Sequence, residues 1–112
     1  MIAVYKKAEI VSQGEQEIRR GILVLSVLSV LEKPEYGYSL VQSLEKIGVS
    51  IEGNTLYPLL RRLEKQGLLI SSWEVESQKP RKYYEITSMG VEVREELTKI
   101  WQDTVIIMKG VL

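Results

Sequence analysis

Residues 53–69 read GNTLYPLLRRLEKQGLL, and residues 81–90 read RKYYEITSMG. The first run has helical periodicity. Leu56, Leu59, Leu60 and Leu63 fall on one stripe, the pattern of a helix with one buried face. Tyr57, Pro58, Arg61 and Lys65 fall on the opposite face, with Arg62 at its edge. The spacing predicts a helix from Thr55 to Gln66, stopped by Gly67. Asn54 or Thr55 can cap its start. Thr55 is preferred, because it leaves Pro58 in the first turn, where a missing N–H costs no helix bond. The second run has period two. Lys82, Tyr84 and Ile86 share one face, and Arg81, Tyr83 and Glu85 the other. The stretch from Leu68 to Glu76 alternates as well, and Ser77-Gln78-Lys79-Pro80 reads as a turn. Together they predict a β-hairpin whose tip is made cationic by Lys79, Arg81 and Lys82.

Upstream, a second helix is predicted over Tyr38–Ile47. Leu40, Val41, Leu44 and Ile47 form its apolar side, and Gly48 its stop. Before it, Glu15–Leu31 reads as one helix. Ile18, Ile22, Leu25 and Leu28 form a stripe, and Leu23, Val24, Val27, Val30 and Leu31 fill most of the rest. A helix apolar nearly all round is buried on more than one side, here the domain core and a partner subunit. Lys33-Pro34-Glu35 ends it. Its apolar run Gly21–Leu31 has 11 residues, about half of the ~20 a bilayer span needs. No signal-peptide pattern precedes it, so a cytoplasmic protein is expected. Residues 1–14 are predicted as a short helix or arm.

Downstream, a long helix is predicted over Ser88–Lys109, capped by Thr87 or Ser88. Val93, Leu97, Ile100, Thr104, Ile107 and Val111 recur at the alternating four-and-three spacing of a coiled-coil seam. Trp101 and Met108 lie beside it. About 22 residues span roughly 33 Å, long for the core of so small a domain. A homodimer contact with the first helix is expected, with Ile22 joining the six seam residues. The division is therefore 1–14 arm or short helix, 15–87 winged helix-turn-helix, and 88–112 C-terminal dimerisation helix.

Composition closes other routes. The chain has 112 residues, no Cys and no His. Disulfides, thiol nucleophiles, Cys- or His-ligated metals and imidazole acid–base chemistry are excluded. Glu95 and Glu96 are adjacent on a helix and do not face each other. No catalytic residues, metal or cofactor are predicted. The formal net charge is zero, which by itself argues against a polyanion partner. The distribution does not. Residues 53–84 carry a net +3, while residues 1–52 carry −1 and residues 85–112 carry −2. Binding responds to this local field.

The order of three helices, hairpin and long helix makes the fold mainly α with a small β-hairpin: a winged helix-turn-helix plus a long C-terminal helix. Such a fold offers its third helix to the DNA major groove and its wing to the backbone. At this point Gly53–Leu69, Arg81–Gly90 and the Tyr36-Gly37-Tyr38 step resemble the PadR family of transcriptional regulators, in its short subclass with one terminal helix. The resemblance implies a dimeric repressor on a pseudo-palindromic double-stranded operator. It implies that Thr55, Tyr57, Pro58 and Arg61 occupy recognition-helix positions, and Arg81, Lys82 and Tyr83 wing positions. With Tyr38, Asn54, Lys65 and Lys79 these make the candidate DNA-contacting set. Tyr83 is expected outward, Tyr84 inside with Ile86, and Trp73 in the core or shielding it. Some short members hold flat aromatic ligands at the dimer interface against a terminal-helix Trp. Trp101, flanked by Leu97 and Met108, is similar in position, though Asp103 lies off its face. The alternatives to a repressor released by a small-molecule or stress signal are a sensor of aromatic ligands and a winged-helix protein-interaction module.

Overall fold

The computed structural model describes residues 4–75 and 79–112. Its helices are α1 (Lys7–Arg20), α2 (Leu23–Val30), α3 (Gly37–Lys46), α4 (Gly53–Lys65) and α5 (Ser88–Val111). Its strands are β1 (Glu35–Tyr36), β2 (Leu69–Glu74) and β3 (Arg81–Ile86). The fold is mainly helical with a three-stranded antiparallel sheet and a long C-terminal helix.

The core is almost wholly leucine. Leu28 and Leu31 come from the α2 segment, Leu40 and Leu44 from α3, and Leu56, Leu59, Leu60 and Leu63 from α4. Leu68, Leu69 and Tyr84 close it from the sheet. Each α4 leucine is the one the helical stripe placed inside. Both α3 and α4 end in the same motif. After α3, the Gly48 N–H donates to the Glu45 carbonyl and the Val49 N–H to the Leu44 carbonyl. After α4, Gly67 donates to Glu64 and Leu68 to Leu63. Gly48 (φ +93°) and Gly67 (φ +79°) take the left-handed conformation this requires.

Three sequence expectations change. The helix predicted over Glu15–Leu31 is two helices that turn at Gly21 and Ile22. Ile22 has ψ 0° and its N–H bonds three residues back, to Arg19 at 3.1 Å. The turn carries α1 off the core, so Ile18 is 73% exposed and α1 buries no residue. The helical segment also begins at Lys7, within residues 1–14, which the sequence reads as an arm or short helix. Second, α4 starts two residues early. Glu52 is its cap residue, without a side-chain cap bond, and its carbonyl accepts from Thr55 and Leu56. Pro58 therefore lies inside the helix, and the Asn54 carbonyl forgoes an intrahelical partner. Third, the hairpin has a third strand. Glu35 pairs with Tyr84 and Tyr36 with Tyr83, putting β3 in the centre in the order β1-β3-β2.

Thr87 caps α5. Its hydroxyl accepts from the Gly90 N–H at 3.0 Å and donates to the Gly67 carbonyl at 2.6 Å. One side chain thus joins the start of α5 to the end of α4. Val93 and Leu97 pack against the core, but beyond them α5 runs into solvent. The radius of gyration is 17.0 Å, against about 13 Å for a compact domain of this length.

Candidate nucleic-acid interface

The hairpin register Leu69↔Ile86, Ser71↔Tyr84 and Trp73↔Lys82 sets these six side chains on the sheet face toward α4. Leu69 and Tyr84 are buried there, and Ile86 packs on the core. Glu64 on α4 locks the contact. It accepts from the Ser71 hydroxyl at 2.6 Å and from Lys82 Nζ at 3.5 Å. The wing is thereby tied to the helix beside it.

Between them lies a cleft of about 410 Å³, lined by Gly37, Tyr38, Tyr57, Arg61, Trp73, Pro80, Arg81, Lys82 and Tyr84. Five of the predicted DNA-contacting residues meet here: Tyr38, Tyr57, Arg61, Arg81 and Lys82. Tyr57 is fixed by a close approach, since a Cβ on Gly37 would meet its ring at 2.9 Å. Arg81 Nη1 donates to the Tyr38 hydroxyl at 3.0 Å, and its guanidinium lies 5.2 Å from the Tyr38 ring and 5.9 Å from the Tyr36 ring. Its hydrogen-bond partner is neutral, so Arg81 is held in place with its charge intact. Tyr36 in turn donates to the Glu74 carboxylate and stacks on Tyr38 at 5.6 Å.

The Tyr84 phenol lies at the inner wall. Burial pushes its pKa up, the Glu64 carboxylate and Tyr57 push the same way, and Arg61 opposes them. Arg61 itself lines the cleft. Among the described residues Arg61 and Lys65 make no ion pair.

Other predicted residues lie elsewhere. Asn54 and Lys65 are exposed on the outer face of α4. Thr55 and Pro58 line a different groove, on the α1 side. Lys79 and Pro80 are exposed, whereas the rest of the predicted turn, Ser77 and Gln78, lies outside the described residues, as does Glu76. Two wing residues are more engaged than their positions alone suggest. Lys82 is no tip residue: it is half-buried opposite Trp73, 5.9 Å from that ring and bound to Glu64. Tyr83 lies on the outward face, as expected, but is half-buried there, edge-on against Tyr36 at 4.9 Å. Trp73, expected in the core or shielding it, is 62% exposed and overhangs the cleft.

On α5, Trp101 and Met108 share a shallow hollow with Thr104, Val105, Lys109 and Leu112. Leu97, predicted beside them, packs on the core instead. Ile100, Thr104, Ile107 and Val111 are exposed, and Ile22 is half-buried.

Sequence reasoning missed β1 and the Tyr36–Tyr38–Arg81 cluster. The spacing of tyrosines in Tyr36-Gly37-Tyr38 was the available signal, since two aromatics flanking a buried glycine can bracket an approaching chain.

Comparison with known proteins agrees with this architecture. A model described as the transcriptional regulator PadR-like family matches residues 24–97. A PadR family transcriptional regulator from Eggerthella lenta is 51% identical in sequence, with a TM-score of 0.84 over 93% of this chain and 90% of its own. A PadR-like transcriptional regulator from Bacillus cereus is 30% identical, with a TM-score of 0.75 over 85% of this chain and 95% of its own. The transcriptional regulator Rv3488 of Mycobacterium tuberculosis is 34% identical over 67% of this chain and 71% of its own length. A helix-turn-helix with a wing tied to its second helix, matched by a family model over most of that unit, places this chain in the PadR-like family of transcriptional regulators, which are not enzymes.

Proposed function

We propose that the chain acts as a homodimeric repressor on a pseudo-palindromic DNA operator and is released by a small-molecule or stress signal. The observation that carries the DNA reading is the cleft between α4 and the wing. α4 turns its leucines inward and Asn54, Arg61 and Lys65 outward, and the clamped Arg81 faces the same opening. Such a surface supplies guanidinium donors for base edges from the helix and phosphate contacts from the wing. Half-sites about 10 bp apart, or a multiple of that, fit a two-fold dimer. The reading is tested by binding to DNA selected from a random pool, followed by anisotropy titration at two salt concentrations. Arg61→Ala is expected to weaken the selected site by about 1–3 kcal/mol. Lys79→Ala with Arg81→Ala is expected to weaken all sequences alike and to flatten the salt dependence. Unchanged affinity in both variants would mean that this cleft does not touch DNA.

A second reading concerns the signal. The hollow around Trp101 is apolar and Trp101 is 45% exposed, which suits a planar aromatic ligand held between two copies of α5. Quenching of Trp emission by such compounds, lost in Trp101→Leu, supports it. Indifference of that emission to a broad aromatic panel counts against it.

A further inference from the structure

A second groove, of about 680 Å³, lies on the flank of α4 opposite the wing. Its floor is apolar, with Leu23, Val24 and Leu59, and its rim carries Arg19 and Arg20 of α1 and Arg62 of α4. The groove lies where α1 gives way to α2, at Gly21 and Ile22. The charge partition along the chain concealed the cluster, because Arg19 and Arg20 lie in the segment 1–52, whose net charge is −1. In space they join Arg62.

The three arginines are not equivalent. Arg19 is engaged: its Nε meets Glu15 at 3.0 Å and its Nη1 reaches the Gly48 carbonyl at 3.5 Å. Arg20 and Arg62 are exposed and make no ion pair among the described residues. Among the described residues, Glu52 is the one acidic side chain at the rim. Thr55 and Pro58, which line the same groove, belong to the exposed side of α4. A polyanion lying along α4 therefore meets cations on both flanks, Arg81 on one and Arg20 with Arg62 on the other. The distal half of α5 in a second copy is a poorer match, since residues 98–112 carry Lys99 and Lys109 against Asp103 alone.

We propose that Arg20 and Arg62 form a second phosphate-contacting site, which grips the DNA backbone on the side of the recognition helix away from the wing. This rests on the DNA reading above and adds to it a footprint in three parts: wing, α4 and the end of α1. Arg19 supports the site by anchoring α1 to the α3–α4 loop.

The test is a salt titration of affinity for the selected operator and for a random duplex. The proteins are the full chain, Arg20→Ala/Arg62→Ala, Arg20→Lys/Arg62→Lys and Arg61→Ala. Binding to phosphate predicts that the alanine pair weakens both duplexes equally. It also predicts that the slope of log K against log salt shrinks by about 1 for each phosphate no longer gripped. The lysine pair should restore the slope, because it restores the point charge. If the alanine pair keeps the parent slope and affinity while Arg61→Ala weakens the operator, the second site is wrong and the DNA reading stands. If the alanine pair instead changes the oligomeric state in sedimentation, the groove is a subunit contact and the proposal is overturned. If the parent chain binds neither duplex at low salt, the DNA reading itself fails.

Discussion

Gly90 is the third residue of α5 and stands against the backbone that leaves α4. A Cβ built on it would lie 2.3 Å from the Leu68 carbonyl oxygen and 2.6 Å from the Ile86 side chain. In an open helix interior, Gly→Ala gains about 1 kcal/mol. Here the sign reverses, because the obstructing atom is backbone held between two caps. Gly90→Ala is expected to destabilise the fold by about 1–3 kcal/mol, the range for overpacking, read from the urea midpoint. Tyr84 makes a different residue-scale argument. Its pKa is raised, chiefly by burial, so the folded state holds the phenolic proton more tightly than the unfolded chain does. The stability this contributes is complete below the ordinary tyrosine value of about 10 and is lost as pH rises from there through the folded pKa. Tyr84→Phe should remove that alkaline loss, seen as a flatter stability profile above pH 10.

At the scale of elements, the wing and α4 behave as one unit. Glu64 reaches from the helix to Ser71 and Lys82 on two strands, and Thr87 reaches from the strand end to the Gly67 carbonyl. The ion pair is partly exposed, at 32% and 33%, so its charge is discounted for screening, whereas the 2.6 Å Ser71 bond is short and half-buried. Glu64→Ala, which removes the acceptor for Ser71, is expected to cost about 0.5–1.5 kcal/mol, the range for one net hydrogen bond. Amide exchange should accelerate in β2 and β3 while α2 and α3 keep their protection. Equal acceleration throughout would show that Glu64 supports the whole core and not the wing. The aromatic bracket of Tyr36, Tyr38 and Tyr83 serves the other face of the hairpin, and through it the short β1 sets the position of Arg81.

At the scale of the molecule, two helices carry runs of apolar side chains into solvent, the outward side of α1 and the distal half of α5. Ile10, Val11 and Ile18 are exposed on the first, and Ile100, Ile106, Ile107 and Val111 on the second. The extents of 58 × 35 × 25 Å follow from these two projecting helices. Exposed apolar stripes of this kind call for a partner, and the homodimer proposed above supplies one. Ile107→Glu is expected to convert a dimer into a monomer in sedimentation and to lower helical ellipticity, because a helix end without tertiary contacts is marginal in water. A dimer that persists in Ile107→Glu would place the interface away from the α5 seam.

The sequence by itself determined the leucine core of α3 and α4 and the order helix-turn-helix, hairpin, long helix, but neither β1 nor the division between α1 and α2. The leucine stripe of α4, the glycine stops after α3 and α4, and the alternation of β2 and β3 are local patterns with one physical solution each. It also determined that Arg61 faces away from the leucines, since helix geometry leaves a residue five past Leu56 no other side. Only the tertiary structure decided what each cation is engaged with. Lys82 and Arg81 are adjacent in sequence, yet the pleat sends one to Glu64 and the other to Tyr38, and no local pattern encodes those partners. The bend at Gly21 and Ile22 was equally hidden. Apolar periodicity continues through it, and the break arises where a partly exposed helix leaves the core. Arg20 and Arg62, 42 positions apart in the chain, line one groove only in the folded molecule, because charge patterns along the chain carry no information about which helices meet.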